Sequence, residues 1–383
     1  MTIQTDVNSR ASILSAVALG TLGVLSFIVQ PALVQGFVTH LGLSEPQAVY
    51  LAGLEMLGVA IATMVLALPC NPFNWRGALA LGLMLAVAGN AASAFLTGSP
   101  DLWIARLVAG LGHGAIISLS FTFVGLTARV GRNVAWYLVA LLTYGAAGLW
   151  VMPALLDRIG IAGLFSIFAL LLTAGFATLR HVPASSTARA EPSPTARQLG
   201  LGLLVIGLAG VLAYNLAQGI AWAILFLVGI GAGHAEPEVA GALFVSQLFA
   251  IAGALGSVFL AERLGRWRPI AVGVLAGAGC IALLIGKPGL SVFLVAVCGF
   301  NFLWNFVLPF ILGAVSDFDE QGRMMGPAIA MQMMGLGAGP LLAAQLIGDG
   351  SYRTAELACI AFFLISYALL TIPMLRHRPL LSQ

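Results

Sequence analysis

Residues 48–68 read AVYLAGLEMLGVAIATMVLAL, an apolar stretch with one charge in it, Glu55. As a helix rising about 1.5 Å per residue, it places Glu55 about 15 Å from the end near Pro46. That is the middle of a hydrocarbon core about 30 Å thick. A charged side chain at this depth costs at least ~3 kcal/mol, so it persists only when protonated, paired or facing water. No other Asp or Glu stands at the centre of an apolar span. The stretch therefore points to a membrane protein, with Glu55 as its first candidate functional residue.

Composition supports the same class. Hydrophobic residues make up 60% of the 383 and charged ones 8%, too few charges to cover a water-soluble surface. The net charge of +3 is small and suggests no nucleic-acid partner. Cys70, Cys280, Cys298 and Cys359 are scattered without metal-ligand spacing; they read as packing residues, with no disulfide framework and no metal.

Apolar runs of spanning length follow one another along the chain. The first six lie near 12–36, 46–68, 77–97, 102–127, 134–155 and 162–180. The second six lie near 198–221, 239–261, 269–286, 290–313, 325–347 and 355–375, and the seventh run can extend through Val228. Between the two sets stands HVPASSTARAEPSPTAR, residues 181–197, whose Pro, Ser, Ala and Arg content reads as a linker. The expected organisation is a six-helix bundle over 1–180, a cytoplasmic linker over 181–197 and a second six-helix bundle over 198–383. With a cytoplasmic N-terminus, thirteen basic residues fall on the inside and three outside. This positive-inside bias predicts both termini in the cytoplasm. The expected location is the cell inner (plasma) membrane.

A connector occurs in two matching places. Between runs two and three stands Asn71-Pro-Phe-Asn-Trp-Arg76, and between runs eight and nine Glu262-Arg-Leu-Gly-Arg-Trp-Arg268. The layout resembles the major facilitator superfamily, whose members carry an acidic-Arg-x-Gly-Arg-Arg loop at these two positions. Glu262, Arg263, Gly265, Arg266 and Arg268 match that loop, which the resemblance makes a conformation-gating element. The first connector departs from it, with Asn71 near the acidic position and Asn74 near the glycine. Arg106-x3-Gly110-x-Gly112-x-Gly114 looks like the family's Arg–glycine motif. The fifth run, with Gly145, Gly148 and Pro153, lacks the full Gly-Pro-x-x-Gly-Gly signature of the family's antiporters. Asp317 to Arg323 looks like the charged connector before the eleventh span. The resemblance implies an all-α membrane fold of twelve helices in two pseudo-symmetric six-helix bundles, working by alternating access.

Arg106, Gly110 and His113, at i, i+4 and i+7, share one helix face. His113 lies about 18 Å from Asp101 along a helix, at a depth like that of Glu55. The functional reading makes Glu55, His113 and Arg106 a proton-responsive group. The structural readings are an Arg106 snorkelling to the interface or bonded to Asp101, a neutral hydrogen-bonded His113, and a protonated Glu55 tying two helices together.

In the second half, Tyr214, Asn215, Gln218 and Trp222 stand at helical spacings, as do Asn301, Trp304 and Asn305 ahead of Pro309. These two groups are expected to line a central solute cavity, as the family's first and fourth helices of each half do. Gln30 and Gln332 are further candidates. The structural alternative for the amides is helix–helix bonding, and for the tryptophans packing.

The chain has no Walker loop, dinucleotide turn, HExxH or GxSxG, so an enzyme is not expected and no cofactor is implied. The expected function is secondary transport of a small organic solute, coupled to protons. The alternatives are a drug or metabolite efflux antiporter and an uncoupled facilitator or transporter-like sensor. The expected partners are the solute, protons and the lipid bilayer, for a chain acting as a monomer.

Overall fold

The computed structural model describes residues 6–67, 74–97, 99–183, 200–318, 324–348 and 351–381. The connector residue Asn71, Arg323 and the linker from position 184 lie outside these. The chain divides into two units, Met1–Arg189 and Ala190–Gln383. Among the described residues, nine helices are long and apolar enough to cross a membrane.

The first unit begins with a span broken into three. Helix α1 (Arg10–Gly23) gives way at Val24, α2 (Leu25–Ile28) at Val29, and α3 (Gln30–Leu41) completes the crossing. Pro31 sits in the first turn of α3. It has no N–H to donate and its ring would strike the carbonyl four residues back, so the helix restarts there. The run 12–36 reads as one span in sequence because its polar residues, Ser26 and Gln30 among them, are scattered and uncharged; Pro31 accounts for the break at Val29. Helices α4 (Glu45–Ala67), α5 (Trp75–Phe95) and α6 (Leu102–Gly125) follow. The fifth and sixth runs form one element, α7 (Val130–Ala174), turned at Gly160, whose φ of 65° suits glycine. A 3-10 segment (Gly175–His181) follows. The apolar stretch through α7 and this segment is 50 residues long, enough for two crossings at about 1.5 Å per residue.

Helix α6 is the pivot of this unit, packed against α4, α5 and α1. A Cβ on Gly110 would collide with the carbonyl oxygen of Glu55, and one on Gly112 with the backbone N of Ala86. The glycines of the Arg–glycine motif thus let α6 touch the α4 backbone on one side and α5 on the other.

The second unit contains α8 (Leu201–Gly231), α9 (Glu236–Leu264), α10 (Trp267–Ala282), α11 (Leu290–Asp317), α12 (Met325–Leu346) and α13 (Arg353–Leu381). Helix α8 packs on α12 and α13, and α9 packs on α11. Among the described residues, the broken first span, the two crossings of α7, the short α10 and the eight remaining helices make twelve apolar spans.

The units repeat one register. Gly42 (φ 65°) precedes Glu45-Pro46 at the start of α4, and Gly233 (φ 95°) precedes Glu236-Pro237 at the start of α9. Proline opens a helix where its missing N–H is not needed, and glutamate there complements the helix dipole. Likewise α5 opens on Trp75-Arg76 and α10 on Trp267-Arg268.

Candidate functional site

The polar centre of the first unit is built from α4, α5 and α6. Glu55, Arg106 and His113 are 2%, 0% and 1% exposed. Arg106 Nη2 lies 3.0 Å from Glu55 Oε1, and His113 Nδ1 lies 3.1 Å from the same oxygen. The i, i+7 spacing puts both side chains on the α4 side of α6. Arg106 is therefore an interior residue, neither snorkelling nor bonded to Asp101. Its Nη1 donates to Asn90 Oδ1 at 3.2 Å and Ser93 Oγ at 3.4 Å, and Phe165 lies 4.3 Å beneath its guanidinium carbon, a cation–π contact.

Asn90 closes the arrangement into a ring. Its Nδ2 donates to the Ala86 carbonyl at 2.8 Å and lies 3.4 Å from His113 Nε2. The order is Glu55, Arg106, Asn90, His113 and back to Glu55. Breaking a buried ion pair from one side costs about 3–5 kcal/mol, so the partners hold one another. Ser26 and Tyr144 stand near the carboxyl, and the Tyr144 hydroxyl is engaged at 2.6 Å by the Leu25 carbonyl.

The second unit uses the same helix pair differently. Ser246 stands ten residues after Glu236, as Glu55 does after Glu45. Asn301 stands eleven after Leu290, as His113 does after Leu102. Asn301 Nδ2 donates to Ser246 Oγ at 2.7 Å. By the same sequence offsets a half-buried Leu294 corresponds to Arg106, and Ala282, exposed at the end of α10, corresponds to Asn90. One register therefore carries a charged ring in the first unit and a single neutral hydrogen bond in the second.

The other candidates divide among several contacts. Tyr214 meets Phe363 of α13 edge-on, with centroids 5.6 Å apart, and Gln218 is its neighbour. Asn215 donates to the Val211 carbonyl at 2.9 Å and faces Gly335 of α12; its Oδ1 has no hydrogen-bond partner. Trp222 meets Trp304 edge-on at 5.9 Å, and Asn305 donates to the Asn301 carbonyl at 3.0 Å. Gln332 is buried on α12, and Gln30 is buried at the start of α3 with its Nε2 unpartnered.

At the second connector Gly265 has a φ of 64°. Arg266 Nε donates to Asp317 Oδ2 at 3.0 Å, both groups being about half exposed. Arg263 lies in the last turn of α9 and Arg268 in the first turn of α10; the side chain of Glu262 lies outside the described residues. In the first connector Asn74 caps α5, and Arg76 donates to the Val182 carbonyl.

Sequence reasoning missed Asn90, Ser93 and Ser246. The signal for Asn90 and Ser93 was their i, i+3 spacing in an apolar helix. The signal for Ser246 was the shared Gly-x-x-Glu-Pro start of α4 and α9.

No protein-family model matches the chain, and no curated protein matches it in sequence. Solved structures do match in shape. The POT family transporter PepTSo is similar with a TM-score of 0.73 and 12% identity, over 97% of this chain and 98% of its own. The nucleoside transporter NupG matches at 0.71 and 12%, over 94% and 99%. A D-xylose-proton symporter matches at 0.70 and 18%, over 93% and 96%. A multi-pass chain with this helix order, matched end to end by such carriers, has the major facilitator fold.

Proposed function

We propose that the chain is a secondary transporter that moves a small organic solute across the cell inner membrane, driven by protons, with both termini in the cytoplasm. The Glu55–Arg106–His113 ring is its proton site. One observation carries this reading. The packing of α9 on α11 is achieved with the neutral Ser246–Asn301 bond, while the same register of α4 and α6 holds a carboxylate, a guanidinium and an imidazole. Joining the helices needs no charge, and buried charge is costly, so the ring serves something other than packing. Likeness in fold to a D-xylose-proton symporter agrees with this reading. The amide and aromatic residues of α8, α11 and α12 named above are the proposed solute contacts, favouring a ring-bearing solute with a few polar groups. The Arg266–Asp317 pair is the proposed latch of the gating connector.

The test begins with a thermal-stabilisation screen of the purified protein against metabolites and drugs, since a ligand that binds the folded state raises its melting temperature. The ligand found is then followed in proteoliposomes. Glu55→Gln keeps shape and removes the titration. Solute exchange is expected to survive while accumulation driven by a proton gradient is lost. Accumulation equal to the native chain, with unchanged dependence on the gradient, would leave the uncoupled facilitator, with the ring as a clamp.

A further inference from the structure

The ring contains two groups that can take a proton, Glu55 and His113, and the reading above does not say which. We infer that Asn90 decides it, acting as a positioning residue that denies His113 a second proton and so directs the incoming proton to Glu55. The inference rests on the proton-site reading.

The geometry is as follows. The Asn90 amide is oriented by two neighbours of fixed polarity. Arg106 Nη1 can only donate, so it faces Oδ1, at 3.2 Å. The Ala86 carbonyl can only accept, so it faces Nδ2, at 2.8 Å. Nδ2 is therefore the atom presented to His113 Nε2, at 3.4 Å. An amide nitrogen is a donor only; opposite it, Nε2 must be the unprotonated nitrogen. The ring proton of neutral His113 then sits on Nδ1, 3.1 Å from the carboxylate.

A proton added to Nε2 would set donor against donor. Turning the amide over would relieve that clash but oppose Nδ2 to Arg106 and Oδ1 to the Ala86 carbonyl, losing two bonds for one. The other charged or titratable groups around the ring are Arg106 on α6, which cannot accept, and Tyr144 on α7, whose hydroxyl is committed to Leu25. Glu55 is left as the acceptor. One proton converts its carboxylate to a carboxylic acid, His113 stays neutral throughout, and Arg106 loses its counter-charge. One protonation thus leaves one guanidinium without its counter-charge, held by Asn90, Ser93, the face of Phe165 and the remaining acceptor oxygen of the neutral carboxyl.

The experiment uses the full chain in lipid nanodiscs, with 15N-labelled histidine read by NMR and the carboxyl of Glu55 read by infrared difference spectra, from alkaline to acid pH. His113→Gln and Glu55→Gln assign the signals. In the native chain His113 is expected to remain neutral and Nδ1-protonated while a protonated-carboxyl band grows in. In Asn90→Asp the new carboxylate accepts from Nε2–H, and His113 is expected to be imidazolium at neutral pH, balancing the added charge. In Asn90→Leu the amide donor is gone, and the imidazole is expected to gain affinity for the proton by about tenfold, the scale of one hydrogen bond. A merely structural Asn90 would leave the His113 signal unchanged in Asn90→Leu, the variant that adds no charge. Imidazolium formation at His113 in the native chain, with Glu55 still ionised, would overturn the inference while leaving a proton site in the ring. No proton uptake by either group would overturn the proton-site reading itself. If neither variant folds, the native spectra alone decide.

Discussion

Glu55, Arg106 and His113 sit at the scale where single atoms decide. Glu55 carries its buried charge with the guanidinium and the imidazole at 3.0 and 3.1 Å of one carboxylate oxygen, and Arg106 carries its own against that carboxylate. Removing one member should therefore be worse than removing two. Arg106→Met leaves a buried carboxylate without its cation and is expected to destabilise by about 3–5 kcal/mol. The double variant Arg106→Met with Glu55→Gln removes both charges and is expected to recover most of that loss. Thermal melts of the purified single and double variants check this, and additive losses would mean that the pair does not hold itself together. The Arg266–Asp317 pair is the contrast. It is equally short at 3.0 Å but half exposed, so Asp317→Asn should change stability by less than about 1 kcal/mol.

At the scale of elements, close approach of backbones sets the site. Glu55 meets α6 because Gly110 has no Cβ to strike the Glu55 carbonyl. Gly110→Ala must push α4 and α6 apart and is expected to cost about 1–3 kcal/mol. Gly279→Ala, in α10 with open space where its Cβ would go, should be neutral or gain up to about 1 kcal/mol from helix propensity. Paired melting curves test both, and equal effects would refute the packing account. Much of this level was legible in the sequence. The apolar runs gave the spans, and the resemblance singled out Gly110, Gly112 and Gly114 without saying what they touch. The break of the first span was less legible, because Val24 and Val29 are as apolar as their neighbours and only Pro31 signalled it. The division of α7 into two spans was legible, since the exposed Asp157-Arg158 and then Gly160, at φ 65°, stand between the runs 134–155 and 162–180. Asn90 escaped notice because its role depends on facing α6, and a run such as Gly89-Asn-Ala-Ala-Ser93 reads as small-residue packing.

At the scale of the whole chain, charge counting and repetition carry the argument. The Arg bias predicts that the linker faces the cytoplasm. Single cysteines at Ser185 and Ser193, on a background without native cysteines, should resist a membrane-impermeant reagent added outside intact cells; labelling from outside would sink the twelve-span topology. Repetition makes a sharper demand. The chain contains a partial control for the ring, since the register that holds Glu55 and His113 in the first unit holds Ser246 and Asn301, bonded to each other, in the second, with Ala282 and Leu294 at the sequence offsets of Asn90 and Arg106. If the ring is there for protons and not for packing, the second unit's residues should serve as structural substitutes in the first. The quadruple variant Glu55→Ser, Asn90→Ala, Arg106→Leu, His113→Asn removes every buried charge of the ring together. Replacing a buried ion pair by well-packed groups of similar volume is often neutral or stabilising by about 1–4 kcal/mol, and the space left by the smaller Ser, Ala and Asn offsets part of that, so the variant should fold with a melting temperature close to the native one. In proteoliposomes it should still exchange the ligand found by screening, yet show no accumulation when a proton gradient is imposed. A variant that folds and still accumulates solute under the gradient would move the proton site elsewhere in the chain. One that fails to fold, while Gly279→Ala folds normally, would show that α4 and α6 need the charges that α9 and α11 do without.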